Sequence, residues 1–119
     1  MIIPLCVLSN KMIITAETNY TARIWNTDTG NCITALTGHT GEIFALCVLA
    51  SGRLVTAGDD NTVRVWHLDT INCLASFTHD YSITAIVVIP GANDTHIIVG
   101  GDSQGHLLFL NLVLPREED

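Results

Sequence analysis

An all-β fold of tandem antiparallel sheets stacked face to face is predicted by three observations. Sliding the sequence along itself by 41 residues aligns Leu5 to Thr37 with Leu46 to Thr78 without a gap, and 14 of those 33 pairs are identical, which marks a repeat protein. Between Gly38 and Trp66 the chain reads as three apolar runs, Ile43 to Leu49, Arg53 to Ala57 and Thr62 to Trp66, punctuated by Ser51-Gly52 and Asp59-Asp60-Asn61. Within those runs apolar residues do not alternate with polar ones. Both faces of each sheet are therefore expected to be covered by neighbouring sheets.

The elements follow in order. Ile2 to Leu8 is the first strand, where Pro4 is tolerable because a strand beginning can lack a donor. After the Ser9-Asn10-Lys11 turn come Met12 to Ala16 and Thr21 to Trp25, and the turn cluster Asp28-Thr29-Gly30-Asn31 leads to a fourth strand, Cys32 to Leu36. The second copy repeats this plan and closes with Asp69-Thr70-Ile71-Asn72 and the outer strand Cys73 to Phe77. A third, weaker copy begins at His79, 40 residues after His39, with strands Ile83 to Ile89, Ile97 to Gly100 and Leu107 to Leu112. Its first hairpin is longer, Pro90 to Thr95. Arg116, preceded by Pro115, falls where a fourth strand should begin, so none is expected.

Composition narrows the function. Hydrophobic residues make up 48% of the chain and charged ones only 14%, so there is much to bury and little to solvate an open sheet face. Five basic residues against twelve acidic ones give a net charge of −7, which repels nucleic acid and anionic membranes. The closing Glu117-Glu118-Asp119 reads as a solvated tail. Cys6 aligns with Cys47 and Cys32 with Cys73, so four cysteines are two repeat positions seen twice. With no CxxC, they are expected to be buried, reduced thiols, which suits a cytoplasmic or nuclear location. The start, MIIPLCVL, lacks the basic region of a secretory signal, and no apolar run reaches membrane-spanning length.

A period near 40, Gly38-His39 before the first strand of the middle copy, and Trp25 and Trp66 closing third strands resemble the WD-repeat β-propeller family. The likeness covers essentially the whole chain. The residue after each tryptophan position is Asn26, His67 or Asn111, never Asp, and in the third copy Thr78-His79 replaces Gly-His and Leu110 replaces Trp. The resemblance implies a partial propeller of three blades, 1–37, 38–77 and 78–114, with an acidic tail over 115–119 and the last blade lacking its outer strand. A ring normally needs about four to eight blades. The chain is therefore expected to be the C-terminal part of a larger propeller, or to complete a ring by self-association.

The resemblance further implies a hydrogen-bonded network in each blade. The matching residues are His39, Thr56, Asp60 and Trp66 in blade two, and Thr15, Asn19 and Trp25 in blade one. Blade three offers His79 and Gln104, but with Gly100 and Leu110 in the remaining places its network should be lost. A turn aspartate accepting an imidazole N–H, with the imidazole bonding a hydroxyl, satisfies buried polar groups and has no need of substrate. No glycine motif for an oxyanion accompanies it, so catalysis is not expected. Gly100 to Gly105 lacks the Lys-Ser/Thr of a phosphate loop and reads as a hairpin turn. His67, His96 and His106 have no metal-ligand spacing and are expected to be partly exposed; no metal or cofactor is expected.

Function then rests on surfaces. The family docks peptides or proteins on the face carrying the approaches to the first strands and the turns between second and third strands. The matching positions here are Glu42, Phe44, Ile3, Ser82 and Thr84, with Thr18, Asp59 and Ser103 in the turns. Phe44 ringed by Glu42 and Asp59 reads either as an apolar anchor with an acidic rim, suited to a basic segment, or as a side chain packed between blades. A protein-interaction scaffold is the favoured expectation. The alternative is a regulatory propeller at the C-terminus of a large signalling ATPase, which a GxxxxGK[ST] loop upstream would distinguish.

Overall fold

The computed structural model describes residues 5–9, 11–49, 52–92 and 95–113. They form three antiparallel sheets. The first contains β1 (Leu5–Ser9), β2 (Met12–Ala16), β3 (Ala22–Asn26) and β4 (Cys32–Leu36) in that order. The second contains β5 (Ile43–Leu49), β6 (Arg53–Gly58), β7 (Thr62–His67) and β8 (Asn72–Thr78), again in sequence order. The third has β9 (Ile83–Pro90), β10 (Thr95–Asp102) and β11 (Leu107–Val113), with β10 central. Every predicted strand is present, displaced at its ends by one or two residues in most cases. The greatest shift is at β10, which gains two residues at each end; residues 2–4 of the predicted first strand lie outside the described residues. The acidic tail and Ile3 lie outside the described residues.

The sheets meet along their first strands: β1 touches β5, and β5 touches β9. Two apolar layers fill the gaps between them. Ile14, Ala22, Ile24 and Leu36 of the first sheet pack against Leu54 and Trp66 of the second. On its other side the second sheet sets Val55, Val63 and Val65 against Ile83 and Ile98 of the third. Successive side chains on a strand point to opposite faces, so a strand with a neighbouring sheet on each side is buried at every position. The burial of every residue of β6 is the direct result. The three sheets form an arc and do not close on themselves.

Two expectations need correction. Burial on both faces holds for the inner strands of the second sheet, whereas its outer strand β8 is exposed throughout and the first and third sheets each leave one face open. Leu5 and Val7 are exposed on the first, and Val87, Leu107 and Phe109 on the third. The cysteines are not uniformly buried either. Cys32 and Cys73 are exposed, because they lie at the starts of the outer strands β4 and β8, beyond which no strand pairs among the described residues; Cys6 and Cys47 are half-buried. A cavity of about 210 Å³ opens between the second and third sheets, lined by Val63, Val65, Phe77, Ile98, Leu110 and Leu112.

Candidate functional site

The second sheet carries a continuous polar relay. Trp66 Nε1–H donates to Thr56 Oγ1 at 2.9 Å, and Thr56 lies 2.6 Å from His39 Nε2. His39 Nδ1 lies 2.8 Å from Asp60 Oδ2. One assignment of protons satisfies the whole chain: a neutral His39 donates from Nδ1 to Asp60 and accepts the Thr56 hydroxyl at Nε2. Asp60 also accepts from the Thr40 amide at 3.0 Å and, through Oδ1, from the Thr62 amide at 3.1 Å and the Thr62 hydroxyl at 2.7 Å. Burial pushes the Asp60 carboxyl up, but the hydrogen bonds led by Thr62, together with His39, outweigh it and hold the group below the usual carboxylate range. For His39 burial wins over the attraction of Asp60, and the imidazole pKa is lowered.

This arrangement ties the approach to β5 onto the β6–β7 turn and has no reactive end. Thr56 is fully buried, and its oxygen is shared between an indole and an imidazole, so it cannot meet a substrate. Gly38 beside it is required by packing: its φ is +153°, and a Cβ there would come 3.1 Å from the Trp66 ring. In the first sheet the corresponding bond is kept, with Trp25 Nε1–H donating to Thr15 Oγ1 at 2.9 Å. Asn19 is exposed and serves only its own turn, accepting the Thr21 hydroxyl at 2.5 Å.

The third sheet departs from the sequence expectation. The hydroxyl and indole are lost with Gly100 and Leu110, but His79 keeps an acid partner, and it is a different one. His79 Nε2 lies 3.0 Å from Asp102 Oδ2, while Gln104 contributes only its backbone amide, which donates to Asp102 Oδ1 at 2.9 Å. His106 joins through its own amide at 2.8 Å and its Nδ1 at 3.2 Å, and Tyr81 stacks on the His106 ring with centroids 5.9 Å apart. Burial raises the Asp102 pKa, but the His79 bond and the two turn amides more than offset it and drive it well below the ordinary value.

Most of the predicted face residues come together. The Asp59 amide donates to the Glu42 carbonyl at 2.8 Å, the Ser82 hydroxyl donates to Asp59 Oδ1 at 2.5 Å, and the Ser103 amide donates to the Ser82 carbonyl at 2.9 Å. Thr84 Oγ1 donates to the Gly101 carbonyl at 3.2 Å. Glu42, Asp59, Ser82 and Ser103 thus form one hydrogen-bonded rim running from the second sheet to the third. Thr18 is exposed in the β2–β3 turn, and no bond joins its side chain to this rim among the described residues. Phe44 is half-buried at the irregularity of β5 between Ile43 and Ala45. Sequence reasoning missed Thr40, Thr62, Tyr81, His106 and Asp102. An Asp two residues before a Thr is an Asx-turn signal that would have found Thr62. Among the described residues no group of three or more His, Cys, Asp or Glu side chains is placed to hold a metal ion.

The family model described as the TEP-1 C-terminal beta-propeller matches residues 39–112. No curated protein matches the chain. Among solved structures, the crystal structure of the WD40 beta propeller domain of Doa1 superposes with a TM-score of 0.80 at 21% identity. The match covers 93% of this chain and 36% of that one, so the chain spans little more than a third of its length. At that identity the likeness is one of fold.

Proposed function

The chain belongs to the TEP-1 C-terminal beta-propeller family, and from that premise we propose that it is a non-catalytic interaction module whose rim binds basic peptide or protein segments. The observation that carries this reading is the Asp59–Ser82 bond at 2.5 Å, which joins the approaches of two sheets into one surface with an acidic edge. Asp59 is exposed and Glu42 half-exposed, so both carboxylates can meet an incoming cation, and Phe44 stands beside Glu42 on β5 as the apolar contact. Exposed charges of this kind steer and select partners more than they stabilise the fold. The buried, fully engaged state of Thr56 and His39 supports the non-catalytic half of the reading.

Fluorescence anisotropy with a Lys/Arg-rich peptide and with its Glu-substituted counterpart tests it. The basic peptide should bind, weaken as salt rises, and be lost on Glu42→Lys with Asp59→Lys while the far-UV spectrum stays unchanged. Equal binding of both peptides would overturn the acidic-rim reading. A second reading draws on the likeness to the TEP-1 C-terminal beta-propeller. In it, this chain is the regulatory propeller of a large nucleotide-binding ATPase. A GxxxxGK[ST] loop encoded upstream in the same reading frame would support it, and its absence would leave the scaffold reading.

A further inference from the structure

Two rings at the end of the third sheet depart from what the repeat places there. Ile83 pairs with Asp102 as Ile43 pairs with Gly58, and Gly101 pairs with Leu107 as Ala57 pairs with Val63. Tyr81 therefore stands where the second sheet has Gly41, and His106 where it has Thr62. In the second sheet both positions turn inward: a Cβ at Gly41 would lie 2.7 Å from the Asp60 amide nitrogen, and the Thr62 hydroxyl is buried on Asp60 at 2.7 Å. In the third sheet the rings face water. Tyr81 is 42% exposed and the His106 side chain 63% exposed, and the two stack with planes 28° apart. The stack is held from beneath, because His106 is bonded to Asp102 through Nδ1 and its own amide, while Tyr81 meets the His79 ring edge-on at 6.2 Å. An aromatic surface fixed in this way can receive a planar ligand at little further cost in side-chain freedom.

The charge beside the stack is negative. Ser82, the next residue after Tyr81, bonds only Oδ1 of Asp59 and leaves Oδ2 without a donor among the described residues, and Asp80, the residue before it, is exposed. No lysine or arginine occurs between His67 and Arg116. We propose that the Tyr81–His106 pair is an arginine subsite of the rim, on which the guanidinium of an incoming segment stacks while Asp59 and Asp80 supply the countercharge. It rests on the reading of the rim as a surface for basic segments, and it narrows the partner to one that bears arginine. A guanidinium is planar and weakly hydrated, so it can lie on an aromatic face and still donate from its edge. A lysine ammonium is a compact, strongly hydrated charge and gains chiefly from the carboxylates.

Two peptides of equal length and charge, one alternating arginine with glycine and one alternating lysine with glycine, test it by fluorescence anisotropy at about pH 8, where an ordinary imidazole is neutral. The arginine peptide should bind about two- to fivefold more tightly. Both should weaken as salt rises while the ratio persists, because salt screens charge at a distance and not a stacked contact. Tyr81→Leu and His106→Leu should each bring the arginine peptide down to the lysine level. Tyr20→Asn removes the other exposed tyrosine, at the turn position where the second sheet has Asn61, and should leave the ratio unchanged. Equal affinities on the wild-type chain overturn the arginine subsite and leave the acidic rim standing, whereas failure of both peptides to bind overturns rim and subsite together. A ratio that survives Tyr81→Leu and His106→Leu, or that Tyr20→Asn abolishes, also overturns the subsite. Should a variant lose its far-UV spectrum, the wild-type ratio carries the test. It is joined by the ring-proton shifts of Tyr81 and His106 on adding the arginine peptide, whose absence overturns the contact.

Discussion

Asp102 accepts from His79 at 3.0 Å through the same carboxylate oxygen that lies 3.2 Å from His106 Nδ1. Asp102 pairs with Ile83 as Gly58 pairs with Ile43, so the acid of the third sheet sits on the strand end itself and not in the turn beyond it. His39 meets its acid through Nδ1 and His79 through Nε2. Turning the imidazole round and moving the acid two residues earlier keep the same connection between an inner-strand approach and the β10–β11 turn. Asp102→Ala should therefore lower the thermal midpoint measurably. Gln104→Ala leaves the amide that bonds Asp102 in place, and should stay within the ~0.5 kcal/mol of an ordinary surface substitution. Equal midpoints for the two variants would remove Asp102 from this role.

Trp66 and Trp25 make the same indole–threonine bond but in different surroundings. Trp66 is 3% exposed between two sheets, whereas Trp25 is half-buried on a sheet with one open face. Trp66→Ala should destabilise the chain by about 3–5 kcal/mol, the range for deleting a large buried aromatic, with the loss of the indole donor to Thr56 included. Trp25→Ala should cost clearly less, because part of its cavity is already open to water. Denaturant titration of both variants measures the difference, and a Trp66→Ala loss near 1 kcal/mol would contradict the relay.

The repeat and the strands were legible because the apolar runs are dense and self-similar: every residue of β6 is buried, as an uninterrupted run between two neighbours requires. The placement of the rim residues was legible through the resemblance, since Glu42 and Ser82 occupy repeat-equivalent approaches to first strands and Asp59 and Ser103 repeat-equivalent turns. Asp102 was not. A count from Gly100 places the acid at residue 104, and only the register of β9 on β10, with its irregularity between Gly101 and Asp102, shows that the carboxylate reaches His79 from an earlier position. The exposure of Cys32 and Cys73 escaped for a related reason, because an outer strand has the composition of an inner one but no neighbour beyond it.

Gly58 marks the closest approach of two strands. A Cβ built there would lie only 2.0 Å from the Glu42 carbonyl oxygen, which accepts the Asp59 amide at 2.8 Å. Backbone cannot give way as a flexible side chain can, so Gly58→Ala must shift the β5–β6 contact and loosen the rim. A loss of about 1–3 kcal/mol is expected from overpacking, together with weaker binding of the basic peptide. Gly52 provides the control. It has φ +73° and nothing within 4 Å of a Cβ, so Gly52→Ala should carry only the left-handed backbone penalty of about 1–2 kcal/mol and leave peptide binding unchanged. Unaltered binding in Gly58→Ala would detach the rim from this contact.

Acid should unfold the chain in two stages. Burial lowers the His39 pKa below its ordinary value of 6.5, so as pH falls through about 6.5 the unfolded chain takes up a proton that the folded relay still refuses. The unfolded state then binds more protons, and stability declines until the folded pKa is passed. Protonation at Nε2 would also cost the relay its acceptor for the Thr56 hydroxyl. Asp60 and Asp102 act lower down, both being held below their ordinary 3.8. Their contribution is complete above that pH and is lost as pH drops through 3.8 towards the folded values. Thermal midpoints recorded from neutral pH downwards should therefore fall first below 6.5 and again below 3.8. In His39→Gln the first decline should flatten while the second remains, because glutamine cannot titrate but the aspartates still do. An undiminished first decline in that variant would assign it to another group and refute the His39 mechanism.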